Sequence, residues 1–335
     1  MSCIRKRWID IAKGIGIILM VIGHADAPRL LKNWIYGFHM PLFFIIAGYT
    51  FNRKKWLENG FLQLTRSRAK AYLQPYIVLF IINLVVWCIL VKISGGEISL
   101  INWIFAGIYS YDTMMPNCAP LWFLTCLFVS YVLFWILIKI NHLIMRLSLS
   151  VVYLVILLAV CSLEKTYGIV ELPWHIDVAL ISSVFMLIGY ELKEKNILEK
   201  LNIPIVAICF LFGSVIVFSN GKINMVQNQY NNMILFIIGA SFLSVVFCYI
   251  SNKISNCKKI KGDFMKKSLE FCGQSTLVFI GFNYLFNVIM NRFFKILGIQ
   301  QQVLYCIVDS IVVIVGCICI ELLWKKIAVY INKYK

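Results

Sequence analysis

Apolar residues run along this chain in blocks of about twenty, the length a helix needs to cross a bilayer, and short polar stretches rich in lysine and arginine separate them. The blocks predict ten spans: 8–27, 34–52, 72–92, 119–140, 148–164, 174–192, 202–219, 233–251, 268–290 and 303–324. The segment "ISLINWIFAGIYSY" at 98–111 is too short to cross and reads as an interfacial or re-entrant piece. The pattern predicts an all-α integral membrane protein, a bundle of about ten helices. It forms one domain over 1–335, with no appended soluble domain, internal repeat or low-complexity linker. No small-residue cleavage site follows "MSCIRKRW", so the first span is expected to stay in the mature protein.

Composition agrees with the pattern. The chain is 61% hydrophobic and 14% charged, with a mean hydropathy of +0.84. Soluble domains carry roughly a quarter of their residues as charges. A net charge of +17 would point to nucleic acid in a soluble protein. Here the basic residues are sorted by side instead. With the N-terminus inside, 24 fall in inner segments and seven in outer ones, while Lys13 lies within a span. That bias puts both termini in the cytoplasm and the protein in the inner or plasma membrane of the cell, with no nucleic-acid partner. The loop "RKKWLENGFLQLTRSRAK" at 53–70 mixes basic and apolar residues and reads as an amphipathic segment on the inner surface. Most of the twelve cysteines sit inside apolar runs without paired CxxC spacing, and they read as small core residues.

Ionisable groups within spans are costly and mark sites of chemistry or buried pairs. The first span carries "KGIGIILMVIGH", residues 13–24. Eleven residues separate Lys13 from His24, about 20° beyond three full turns and about 16 Å along the axis. The two lie on nearly one face, and Asp10, three residues before Lys13, is placed to pair with it. One reading is a structural Lys–Asp pair with an interfacial histidine; the other is a line of functional groups. The second span holds "FHMPLFFIIAGYTF", with His39 near its outer end and Pro41 expected to bend it. A short outer loop joins these two spans, so His24 and His39 come to similar depth and can line one cavity. No carboxylate or cysteine with ligand spacing accompanies them, and no metal site is expected.

Further groups lie along the later spans. Trp122 in "CAPLWFLTCLF" reads either as an interfacial tryptophan or as a cavity residue. His175 and Asp177 open the sixth span in "LPWHIDVAL", and Tyr230 precedes the eighth in "NQYNN". Asn283 lies deep in the ninth span, as helix–helix glue or as a cavity residue.

"RWIDIAKGIGIILMVIGH" followed by "WIYGFHMPLFFIIAGYTF" resembles the membrane-bound acyltransferase 3 family, in particular its fucose 4-O-acetylase-like branch. The likeness continues through "PLWFLTCLF", "LPWHIDVALISSVFMLIGYEL", "NQYNNMILFIIGA" and "LEFCGQSTLVFIGFNYL", and so covers nearly the whole chain. The family signature is an arginine, ten residues and a histidine in the first span. Lys13 holds the arginine place and His24 the histidine place, and lysine lacks the bidentate fork of arginine. Family members often carry a histidine where this chain has Asn283.

The resemblance implies transfer of an acyl group, usually acetyl, from a cytoplasmic acyl-CoA to a hydroxyl of a cell-surface glycan or lipid-linked sugar. Acetyl-CoA is then a donor substrate and no cofactor is bound. It implies His24 as general base or as an acyl-carrying nucleophile, with His39 orienting it or the acceptor. Lys13, held by Asp10, and the basic residues Arg53, Arg66 and Arg68 face the CoA arm and phosphates; Trp122, Asp177, Tyr230 and Asn283 serve the cavity or acceptor. Two other readings of ten polar-studded spans are a small-molecule transporter and a non-catalytic family relative.

Overall fold

The computed structural model describes residues 6–110, 119–167, 172–257, 260–298 and 301–333. Arg5, Lys258, Lys259 and Lys335 of the inner basic group lie outside the described residues, as does Tyr111. In chain order the helices are α1 (Arg7–His24), α2 (Arg29–Tyr36), α3 (His39–Tyr49), α4 (Arg53–Arg68), α5 (Gln74–Ile93), α6 (Leu100–Tyr109), α7 (Trp122–Lys139) and α8 (Leu143–Tyr167). They continue with α9 (Ile176–Glu194), α10 (Ile197–Lys200), α11 (Ile203–Asn220), α12 (Met233–Asn256), α13 (Ile260–Gln274), α14 (Thr276–Leu297) and α15 (Gln302–Lys333). The described residues contain no named strand, only an isolated bridge between Asn224 and Gln229. The protein is an all-α, multi-span membrane protein.

Among the described residues nine helical runs are long and apolar enough to cross a membrane. They correspond to the second through tenth expected spans. The helix α1 differs from them in carrying Arg7, Asp10 and Lys13 within 18 residues. Its position explains how it tolerates them: α2, α3, α12, α13, α14 and α15 all pack on it. Ten of its 18 residues are buried, whereas only four of the 25 in α8 are. Protein rather than lipid therefore surrounds most of α1.

Close approach of backbones builds this centre. A β-carbon at Gly14 would run into the Leu269 carbonyl oxygen, and one at Gly273 into the Asp10 carbonyl oxygen. The glycines of α1 and α13 thus let the two backbones touch, the usual device where lipid supplies no hydrophobic drive between helices. Gly48 and Gly189 do the same for α3 and α9, against the Met186 and Ile45 carbonyls.

Helix starts follow from local chemistry. The side-chain oxygens of Asn52, Asn202 and Asn232 accept hydrogen bonds from the backbone N–H of Lys55, of Ile205, and of Ile234 and Leu235, capping α4, α11 and α12. Two expected spans are broken where the hydropathy pattern runs on. The second parts at Gly37 and Phe38 between α2 and α3. Pro41, expected to bend it, sits in the first turn of α3, where a missing N–H costs no helical bond. The ninth parts at Ser275, whose backbone N–H closes the end of α13 on the Phe271 and Cys272 carbonyls. Its crossing helix is Thr276–Leu297, and α13 lies against α1. The 53–70 segment forms α4, with Trp56 and Leu64 buried and its lysines exposed.

Candidate functional site

A cavity of about 180 Å³ lies between the C-terminal half of α1, the starts of α3 and α7, and α14. Ile17, Met20 and His24 contribute from α1, and Tyr36, His39, Met40 and Phe43 from α2 and α3. Pro120, Trp122 and Phe123 contribute from the start of α7, Ile280 from α14, and Ile223 to Val226 from the loop after α11. The two histidines of the first hairpin thus share one wall, as their depth implied.

His24 is the last residue of α1 and is half-buried. Its Nδ1 lies 2.8 Å from the Asn283 side-chain nitrogen, and the Asn287 amide donates to the His24 carbonyl oxygen at 3.3 Å. An asparagine pair one turn apart on α14 therefore holds both ring and backbone. With the Asn283 nitrogen as donor, Nδ1 accepts and the ring proton is on Nε2. His39 is held differently. Its Nδ1 lies 2.9 Å from the Ile35 carbonyl oxygen, so Nδ1 donates and Nε2 keeps its lone pair. Tyr36 stands between the two imidazoles, edge-on to His24 at 6.0 Å and tilted against His39 at 5.2 Å between ring centres.

Trp122 is buried in the cavity wall, with its ring 5.3 Å from that of His175, which places it among the cavity residues. His175 Nε2 donates to the Ser110 carbonyl oxygen at 3.0 Å. The backbone there is held in a costly form, with φ of 55° at Trp174 and 52° at His175. The Trp174 indole nitrogen donates to the Ile108 carbonyl at 2.8 Å, which ties the turn to the end of α6.

Asp177 and Tyr230 do not line the cavity. Both belong to a clamp around Asn228. The Asn228 amide nitrogen donates to Asp177 at 2.5 Å and to both Glu164 oxygens at 3.2 and 3.0 Å, while its oxygen accepts from the Tyr230 hydroxyl at 3.0 Å. Asn228 itself is left-handed, with φ of 51°. The clamp anchors the loop whose residues Ile223 to Val226 close the cavity. Asn220 reinforces it, donating to the Tyr230 carbonyl and accepting from the Asn232 backbone N–H.

The basic candidates stand apart from the cavity. Lys13 is half-buried and lies four residues before Ile17, the innermost lining residue of α1, and Asp10 is buried one turn further in. The Arg53 guanidinium holds the end of α7 through the Ile138 carbonyl at 2.8 Å and the Asn141 side chain. Arg66 is exposed on α4. Arg68 stacks its guanidinium over Tyr131 at 4.1 Å and Trp56 at 5.1 Å.

Several site residues escaped sequence reading. Tyr36 has a signal, since it lies three residues before His39. Asn287 has one as well, since it follows Asn283 by four, one helical turn. Asn228 opens the quoted "NQYNN", but nothing local marks it as a clamp, because its carboxylate partners Glu164 and Asp177 are more than fifty residues away in the chain.

A family model described as an acyltransferase domain, Acyl_transf_3, matches residues 6–322. A curated relative, the nodulation protein NolL of Mesorhizobium japonicum, is 32% identical over 149 residues, covering 40% of this chain. That match spans about a third (36%) of the relative's own length. No solved structure matches the chain.

Proposed function

The chain belongs to the acyltransferase 3 family and is a membrane acyltransferase, and from that premise we propose that it moves an acetyl group from cytoplasmic acetyl-CoA to a hydroxyl of a cell-surface glycan or lipid-linked sugar. The observation that carries this reading is the run of α1 from Lys13 through the cavity to His24. Ile17, Met20 and His24 line the cavity over seven residues, about 10 Å of helix, and Lys13 lies one further turn towards the side where the charge bias puts the cytoplasm.

In this reading the thioester carbonyl reaches the imidazoles and the anionic diphosphate end of the CoA arm stays near the cationic Lys13. His24 Nε2 takes the proton of the acceptor hydroxyl. The hydroxyl oxygen bonds the thioester carbonyl carbon, the carbon–sulfur bond breaks, and the proton passes to the departing thiolate. His39, with its Nε2 lone pair open, accepts a hydrogen bond from the acceptor and orients it. Tyr36 and Trp122 offer flat faces on which a sugar ring stacks. The Arg68 stack and the lysines of α4 attract the CoA phosphates. The protein works in the inner or plasma membrane with both termini in the cytoplasm.

Mass spectrometry of surface glycans and lipid-linked sugars, from cells with and without the gene, tests the acceptor class. The proposal expects one species to lose a mass of acetyl when the gene is removed and to regain it on complementation. Identical acetylation in both strains contradicts it.

A further inference from the structure

Three buried asparagine amides lie on or against α14, Asn283 and Asn287 at the end of α1 and Asn83 at Gly281, and only one of them is free to turn. Asn83 donates to two carbonyl oxygens, those of Leu79 at 2.9 Å and Gly281 at 2.8 Å. Asn287 donates to the His24 carbonyl. Rotating either amide would set oxygen against oxygen. The Oδ1 of all three is buried with no partner among the described residues, but Asn283 faces a ring nitrogen, which can be donor or acceptor. No second hydrogen bond locks the orientation of its amide. Turning it by half a revolution exchanges donor for acceptor at the same atomic positions.

Resting on the acyl-transfer reading, we propose that Asn283 is a positioning residue that sets the tautomer of His24 by turning its amide. As placed, Nδ2 donates to Nδ1 and the ring proton sits on Nε2, a state in which Nε2 is a donor and cannot take a proton. With the amide turned, Oδ1 accepts from Nδ1–H and Nε2 presents its lone pair to the cavity. When Nε2 takes the hydroxyl proton the ring carries hydrogen on both nitrogens, and Oδ1 is the acceptor that Nδ1–H then needs. This is the part a carboxylate plays behind the histidine of a hydrolase triad. A neutral amide plays it without placing a second charge in the membrane interior.

The sequence holds four histidines, so ¹⁵N-histidine labelling of the protein in lipid nanodiscs gives few signals, and loss of one in His24→Ala assigns it. Couplings of the ring nitrogens to the carbon-bound ring protons report which nitrogen carries hydrogen. The expected result is Nε2–H in the wild type, Nδ1–H in Asn283→Asp, and a mixture in Asn283→Leu. In parallel, thiol release from acetyl-CoA alone is expected to fall about 10²-fold in kcat for Asn283→Leu at unchanged KM, and to stay within about tenfold of wild type for Asn283→Asp. The same ring proton in wild type and Asn283→Asp overturns the proposal, and so does wild-type kcat in Asn283→Leu. If the leucine variant does not accumulate, the aspartate variant carries the test. The tautomer measurement needs no substrate. Wild-type thiol release by His24→Ala would remove the catalytic reading of His24 while leaving the tautomer result to stand or fall separately.

Discussion

Two asparagines organise the two polar clusters near the cavity, and they are used in opposite ways. Asn228 spends its amide nitrogen on Glu164 and Asp177 and its oxygen on the Tyr230 hydroxyl. Asn283 spends its nitrogen on His24 and leaves its oxygen buried without a partner among the described residues. Buried polar groups are nearly always paired, so a side chain with both ends committed to the loop reads as structure, and one whose bond goes to the imidazole of a cavity-lining histidine reads as support for chemistry. The comparison separates residues that hold the cavity's shape from those that meet what enters it. It also moves Asp177 and Tyr230 from acceptor candidates to supports of the closing loop.

Variants can break this division or sharpen it. After His24 itself, the largest effect expected is His39→Ala, which removes a cavity-facing lone pair and no hydrogen bond among the described residues beyond that to Ile35. Turnover of acetyl-CoA should drop about 10²-fold with thermal unfolding little changed. Asn228→Ala should do the reverse. Glu164 and Asp177 lose their shared donor, and the protein should lose about 1–3 kcal/mol of stability, read by thermal unfolding in detergent, while kcat falls less than tenfold. Equal losses in both readouts for both variants would erase the distinction. Lys13→Ala should raise KM for acetyl-CoA by about tenfold, the scale of one charge-assisted contact, with kcat kept. Arg66→Ala, on an exposed face of α4, should stay within about 0.5 kcal/mol in stability and leave KM nearly unmoved.

Most of the bundle is legible in the hydropathy pattern, because crossing a bilayer demands the same apolar length everywhere. Breaks inside apolar runs are not legible in that way. At Gly37 and Ser275 the chain turns because backbone groups find local partners, and hydropathy does not register hydrogen bonds. The special status of α1 is readable from Lys13 and its glycines, but its central place depends on contacts with α13, α14 and α15 more than 230 residues away. His24 and His39 come together because a short hairpin joins their helices, a local relation. Asn283 reaches His24 across 259 positions, which periodicity cannot pair. Asp177 looked like a site residue because it is acidic near a membrane surface, and its role in the clamp depends on where Asn228 folds back.

The central claim is that His24 is the group that moves the proton in acyl transfer. Purified protein in nanodiscs, given acetyl-labelled acetyl-CoA and a lipid extract of the source membrane, reports both thiol release and label transfer. The account predicts that the wild type does both and that His24→Ala, folded and inserted to the same extent, falls to background, about 10³-fold or more below it. Equal rates for the two proteins would contradict it.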